Sequence, residues 1–446
     1  MEFSPWVLFT DIGLICLLLI VGTIIRAKVG FVQRLFLPAS IIAGILGLAF
    51  GPNGFGILPF SSQIATYPAI LIAVIFGTLP LVSPRVDWNA IKTRVGSMWS
   101  YSQLAMLLLW GGGLFFALLF INPFWKDLNS GFGLILAAGF VGGHGTAAAI
   151  GSTFAQSGWE DATSLAMTSA TIGIISAITI GILFIKRGSA KGQTSFLASF
   201  DDLPNELRTG LIPLESRKKS ITDTVSPMSI DPYAFHLAIV MIIAMGGYSL
   251  SKLGVLLLPS VAIPAFSLAF LVGLVVKKIM NATNSEKYVS VDVITRISGS
   301  ATDILVAFGI ASISLSVVMD YIFPLALLFA FGLVYAYVFF AILSIRFFSE
   351  YWFEKGIFTW GWTTGTVAMG MALLRIVDPD AKSKTLDDYG LAYIPIAPVE
   401  IMLITFAPLL VINSQSWVFV GITFVFAIVI YLMAIKYKWL NRTSVK

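Results

Sequence analysis

The chain has 446 residues, of which 57% are hydrophobic and only 11% charged. A soluble domain carries about 25% charged residues, so the composition excludes an ordinary soluble enzyme and points to an all-α polytopic membrane protein. The net charge of +5 is no nucleic-acid signal, because the basic residues lie between apolar runs, and the single Cys16 excludes an intrachain disulfide or a cysteine-based metal cluster.

A membrane span needs about 20 apolar residues. In chain order, spans are predicted at 7–25, 36–51, 68–83, 98–121, 163–186, 233–253, 262–280, 299–318, 321–346, 391–412 and 416–436. No cleavable signal peptide is expected, because the flank Met1–Pro5 lacks positive charge and the first run is long enough to span. Two more apolar segments, 131–155 and 355–376, are poor helices. The first holds four glycines and a histidine between Gly139 and Gly145, and the second reads Trp360-Gly361-Trp362-Thr363-Thr364-Gly365-Thr366. Glycine costs about 1 kcal/mol in a helix interior, and unwound backbone at membrane depth survives only inside protein or against a cavity. Both segments are therefore read as re-entrant hairpins.

Charge tests that reading. With the hairpins set aside, the loops alternate, and all but Lys126 and Lys252 of the 28 basic residues fall on one side. They cluster at Arg26–Arg34, Arg85–Arg94, Lys186–Lys219, Lys277–Arg296 and Arg346–Lys384, and from Lys436 on. The positive-inside rule then puts the amino terminus outside and the carboxyl terminus in the cytoplasm. The first hairpin enters from outside and the second from inside.

Two halves are expected. Leu37-Pro38-Ala39 followed by Ala43 and Gly47 recurs as Ile263-Pro264-Ala265 followed by Ala269 and Gly273. Ala69, Ile72, Val74, Phe76 and Gly77 recur as Ala301, Ile304, Val306, Phe308 and Gly309, and Gly145-Thr146 recurs as Gly365-Thr366. Each half then has five spans and a hairpin, and an odd number of spans inverts the second half. The expected layout is a first repeat at 1–186, a cytoplasmic linker at 187–232 containing Asp201-Asp202 and Arg217-Lys218-Lys219, a second inverted repeat at 233–412, and an extra carboxyl-terminal span and tail at 413–446.

The hairpin tips carry the chemistry. Helix amino termini favour anions, which makes Gly142, Gly143, His144, Gly145, Thr146, Thr363, Thr364 and Gly365 candidate substrate contacts. Threonine hydroxyls and unwound carbonyls suit Na⁺, which adds Thr146, Thr364 and Thr366 as cation ligands. Arg375, closing the second hairpin, binds a substrate carboxylate or pairs with Asp378 or Asp380. His144 either braces its tip or touches substrate, and His236 is expected at the interface. Ionisable groups within spans are functional hypotheses. Glu400 is read as a cation-coupling residue, and Asp303 as a cation ligand or a helix cap. Asp11 and Asp320, near span ends, are expected in solvent. Thr171, with Thr168, Ser169 and Ser176, is a cation ligand or interhelical glue. No transition-metal ligand set, Walker A loop, dinucleotide fingerprint or nucleophile elbow is present, so the chain is expected to be no enzyme and to need no cofactor beyond Na⁺ as coupling ion.

The run Gly142-Gly143-His144-Gly145-Thr146-Ala147-Ala148-Ala149 resembles the first hairpin motif of the bacterial sodium/glutamate symporters, and Ala166–Gly173 resembles their next span. The family is related to the sodium/2-hydroxycarboxylate carriers, including those for citrate. The resemblance implies Na⁺-coupled symport of glutamate or a similar acidic amino acid in a bacterial inner membrane. It implies a homodimer in which a transport domain moves against a scaffold, in the elevator manner. The aromatic second hairpin departs from the family pattern. A carrier for another carboxylate, a proton-coupled carrier using Glu400, and a channel remain as rivals, and an intramembrane enzyme using His144 lacks a partner nucleophile or metal.

Overall fold

The computed structural model describes residues 4–82, 95–196, 209–212, 224–257, 264–379 and 381–440. Arg85, Lys92, Arg94, Asp201, Asp202, Arg217, Lys218, Lys219, Ile263, Asp380, Arg442 and Lys446, which enter the expectations above, lie outside the described residues. All regular structure among the described residues is helical. In chain order the helices are α1 (Pro5–Lys28), α2 (Gly30–Arg34), α3 (Ala39–Phe50), α4 (Tyr67–Val82), α5 (Gly96–Phe116), α6 (Leu134–Gly139), α7 (Gly143–Gln156), α8 (Ala162–Ala190), α9 (Pro232–Leu257) and α10 (Ala265–Ala282). They continue as α11 (Val291–Ala311), α12 (Leu315–Asp320), α13 (Ile322–Val338), α14 (Ser344–Phe347), α15 (Trp352–Thr364), α16 (Val367–Val377), α17 (Thr385–Ile412) and α18 (Ser416–Lys436). Nine helices among the described residues are long and apolar enough to cross a membrane.

Several boundaries differ from the sequence-based expectation, each for a physical reason. The predicted second and third spans are shorter helices, α3 with 12 residues and α4 with 16. Pro38 precedes α3, and Gly51 and Pro52 follow it, so neither end can be extended as helix. The predicted span at 299–318 begins instead at Val291 and ends at Ala311. Ser290 caps it by accepting a hydrogen bond from Val293 N–H, and Asp292 lies in the first turn. The polar residues Asp292, Thr295 and Arg296 are one exposed face of this helix, where a loop was expected. Asp303 therefore sits well inside α11 and does not cap it.

Two compact units divide the chain. The first is Met1–Gly22, Ala39–Pro84 and Ile212–Ile313, and the second is Thr23–Pro38, Arg85–Leu211 and Ser314–Lys446. Each draws on both expected halves.

In the first unit, Ile15, Leu18, Ala43, Phe60, Ile64, Tyr67, Ala307, Phe308 and Ala311 form a buried core. The two matching sequence motifs pack in reciprocal fashion. Gly44 and Gly47 of α3 lie against Ile310 and Ala311 of α11, while Gly273 of α10 lies against Pro80 and the Gly77 backbone of α4. Small residues let membrane helices approach this closely. Asp11 is buried rather than solvated. Its carboxylate accepts from Ser61 N–H, the Ser61 hydroxyl and the Tyr67 hydroxyl, at 2.9, 2.5 and 2.8 Å. His236 is likewise buried. Its Nδ1–H donates to Pro232 O and its Nε2 accepts from Ser290 N–H, which ties α9 to the start of α11. Asp320, in the second unit, is exposed as expected.

The second unit holds α2, α5–α8 and α12–α18. A π-helical turn, Ala117–Ile121, follows α5, and another, Phe339–Leu343, follows α13. Each precedes one of the glycine-broken segments.

The Asp11 cluster should dominate local stability. Asp11→Ala strands three donors, each about 1–3 kcal/mol when left buried and unpaired. It should lower the thermal midpoint in detergent well below that of Tyr67→Phe, which removes a single bond. Equal shifts would mean that the carboxylate is not the hub.

Candidate functional site

Both glycine-rich segments are helix pairs interrupted by extended or turning backbone. α6 ends at Gly139, and α7 starts at Gly143, whose φ of +63° lies in the left-handed region. Only glycine adopts that conformation without strain. α15 ends at Thr364, and extended backbone at Thr366 (φ −152°, ψ 167°) opens α16. The first N–H groups of α7 and α16 have no partner within their own helices.

The two breaks face each other. A methyl group placed on Gly143 would come to 2.9 Å from Thr366 Cγ2 and 3.7 Å from the Gly365 carbonyl oxygen. The amino termini of α7 and α16 therefore converge, and with them the positive ends of two helix dipoles. The threonines flanking the breaks divide in role. Thr363 and Thr364 donate their hydroxyl protons back to Thr359 O and Trp360 O of α15, at 2.8 and 2.6 Å. Thr146 and Thr366 make no side-chain hydrogen bond among the described residues, and Thr366 caps α16 by backbone position alone. Their hydroxyl oxygens, and the remaining lone pairs of Thr364, are the oxygen donors at the junction.

One helix supports both breaks. Gly139 packs onto Ser169 of α8, leaving no room for a side chain, and Gly173 is pressed between the Thr364 carbonyl and Phe140. Trp360 Nε1 donates to Ala177 O at 2.9 Å, and its ring meets Phe184 edge to face. The aromatic residues of the second break thus fill the space against α8, while Trp362 packs edge to face on Tyr389 of α17. Gly139, Gly173 and Ala177 form a small-residue mount that was not anticipated from the sequence. Its signal is the regular spacing of Ser169, Gly173 and Ala177 along α8, beside a glycine-broken segment.

His144 is buried, and its Nε2 lies 3.1 Å from Thr171 Oγ1. The Thr171 hydroxyl proton is committed to Met167 O at 2.9 Å. His144 Nε2 must therefore donate, which fixes its proton on that nitrogen and leaves the Nδ1 lone pair open. His144 braces the first tip on α8, and Thr171 is its acceptor.

The remaining candidates lie elsewhere. Arg375 is exposed in the last turn of α16, about 13 Å along the helix from Thr366 at 1.5 Å per residue. The Asp378 carboxylate accepts from Lys382 and Ser383 N–H. Asp303 is exposed and belongs to the first unit. Glu400 lies within α17, where Tyr393 donates to its Oε2 at 2.7 Å. Pro395 and Pro398 lie inside the same helix, so the carbonyls of Leu391 and Ile394 lose their usual N–H donors. Glu400 thus has a hydroxyl donor and two freed carbonyls within a few turns. Tyr393, seven residues before Glu400 and so on the same helix face, was readable from the spacing.

The contact between the breaks is testable by stability. Gly143→Ala meets both a left-handed backbone, about 1–2 kcal/mol for an L residue, and the Thr366 methyl. Gly158 is also at positive φ (+97°), but a Cβ there would meet nothing within 4 Å, so Gly158→Ala bears the backbone cost alone. Gly143→Ala should lower the thermal midpoint further than Gly158→Ala. Equal shifts would show that the tips do not touch.

Known families bear on this geometry. The family model described as sodium/glutamate symporter matches residues 127–352, just over half of the chain. The match includes the first break, α8 and α13, and it ends at Trp352, the first residue of α15. No curated protein matches the chain.

Proposed function

Because this chain belongs to the sodium/glutamate symporter family, we propose that it carries out Na⁺-coupled symport of glutamate or a similar acidic amino acid by alternating access. The observation that carries this reading is the meeting of the two broken helix pairs at Gly143 and Thr366. Substrate carboxylates are held by the free N–H groups at the amino termini of α7 and α16, with Gly142, Gly143, Gly145 and Gly365 keeping the approach open. Na⁺ is held by oxygens of Thr146, Thr364 and Thr366 and by unwound carbonyls, the hard ligands that the ion requires. Glu400, with Tyr393 and the carbonyls freed by Pro395 and Pro398, forms a second cation position. Thr171 acts through His144. Arg375, on its exposed turn, attracts the anion before it reaches the tips.

The proposed architecture is two inverted repeats with re-entrant helix pairs, 1–186 and 233–412, joined by a linker at 187–232, with an appended span at 413–446. The reciprocal packing of Gly44 and Gly47 on α11 and of Gly273 on α4, and the matching π-turns after α5 and α13, support it. The division into two compact units, with both breaks in one of them, supports an elevator-type movement. A homodimer in a bacterial inner membrane, amino terminus outside, completes the proposal. The second reading is proton coupling through Glu400, favoured by the Tyr393 hydroxyl that donates to its carboxyl group.

Purified protein in proteoliposomes should take up labelled glutamate when given an inward Na⁺ gradient and should not do so with K⁺. Uptake that ignores Na⁺ would overturn the coupling, and non-saturable flux would indicate a channel. Glu400→Gln should retain glutamate exchange while weakening its cation dependence. If that variant instead loses a dependence on a proton gradient, the second reading is correct.

A further inference from the structure

Three side chains of α5 carry buried polar atoms with no hydrogen-bond partner among the described residues: Trp99 through Nε1, Gln103 through both Oε1 and Nε2, and Trp110 through Nε1. Gln103 is 1% exposed and Trp110 0%. Their spacing of four and seven residues places them along one side of the helix. Other polar groups at α5 are satisfied. The Tyr101 hydroxyl donates to Phe339 O, the Ser100 hydroxyl to Gly96 O, and the Tyr335 hydroxyl to Ala105 O. An amide unpaired inside a membrane span is costly, because lipid offers it nothing in exchange. An apolar residue of the same volume would avoid the cost.

Packing places this amide near the first break. Gly113 of α5 lies against Leu136 of α6, and Gly133 lies against Ala117, so the two helices run antiparallel. At 1.5 Å rise per residue, the break after Gly139 falls at a level between Gln103 and Trp110. α13 gives the same level independently. Phe331 faces Gly112, Gly332 faces Phe140, and Tyr335 reaches Ala105. α17 also packs against α5.

We propose that Gln103 and Trp110 are cargo-binding residues that select an amino acid over a plain dicarboxylate, an assignment that rests on the acidic amino-acid reading above. Two donor groups and one acceptor fit a molecule carrying carboxylates and an ammonium. Gln103 Nε2–H and Trp110 Nε1–H donate to carboxylate oxygen, and Gln103 Oε1 accepts from the ammonium. The amide is the one group of the set that can tell glutamate from glutarate, which has the same two carboxylates and no ammonium.

The test is Na⁺-driven uptake of labelled glutamate, with competition by unlabelled glutarate, in wild type, Gln103→Leu and Trp110→Phe, alongside thermal unfolding of each. Gln103→Leu should raise the glutamate KM by about tenfold or more, the scale of one lost buried hydrogen bond to a charge. It should also erase most of the preference for glutamate over glutarate, with a thermal midpoint no lower than wild type. Trp110→Phe should weaken both ligands alike. An unchanged preference in a folded Gln103→Leu protein overturns the assignment and leaves the amide structural. Should that variant fail to fold, an unchanged glutamate KM in Trp110→Phe overturns it instead. A wild type that takes up no glutamate with Na⁺ removes the transport reading itself, whereas the variant results bear on these two residues alone.

Discussion

Backbone that leaves the helix inside a bilayer has to be sheltered, and the second unit is built around that requirement. Two helix pairs are interrupted at glycine- and threonine-rich breaks, and α8 covers both. The shelter is made of absent side chains. Gly139 and Gly173 allow the broken segments to lie directly on α8, and a side chain at either would push them away. Where the second break carries bulk, as at Trp360, the indole is anchored to the backbone of the same helix.

Polar chemistry sorts by the same constraint. Thr363 and Thr364 return their hydroxyl protons to α15, which keeps that helix intact up to the break. His144 is held by Thr171, so the tip keeps its position when nothing is bound. Among the described residues, the groups left open include the hydroxyls of Thr146, Thr366 and Ser169, the first N–H groups of α7 and α16, the amide of Gln103 and the indole N–H of Trp110. Such a set offers oxygen to a cation and N–H groups to an anion. The first unit shows the contrasting case. Asp11 is as buried as any group there, yet three donors occupy its carboxylate, and it is a packing centre.

Much of the fold was legible because membrane helices announce themselves by length and apolarity, and because clustered glycines at such depth break a helix that lipid alone would hold intact. The positions of both breaks were readable for that reason. The boundaries of α11 were not, because one polar face over Asp292, Thr295 and Arg296 imitates a loop when read without its buried opposite face. Asp11 was misjudged because its partners Ser61 and Tyr67 are distant in sequence. Arg375 drew attention through charge, although its helix carries it away from the break. Gln103 drew none, since a single amide in an apolar run has no pattern, and only its burial without a partner distinguishes it.

Ser169, Gly173 and Ala177 are positions on one continuous helix. Gly139 rests on the first, Thr364 on the second and Trp360 on the third. The separation of the two breaks is therefore gauged by the pitch of an α-helix and not by the slack of a loop. A separation gauged in that way has a nearly fixed length, set by the rise per residue of α8.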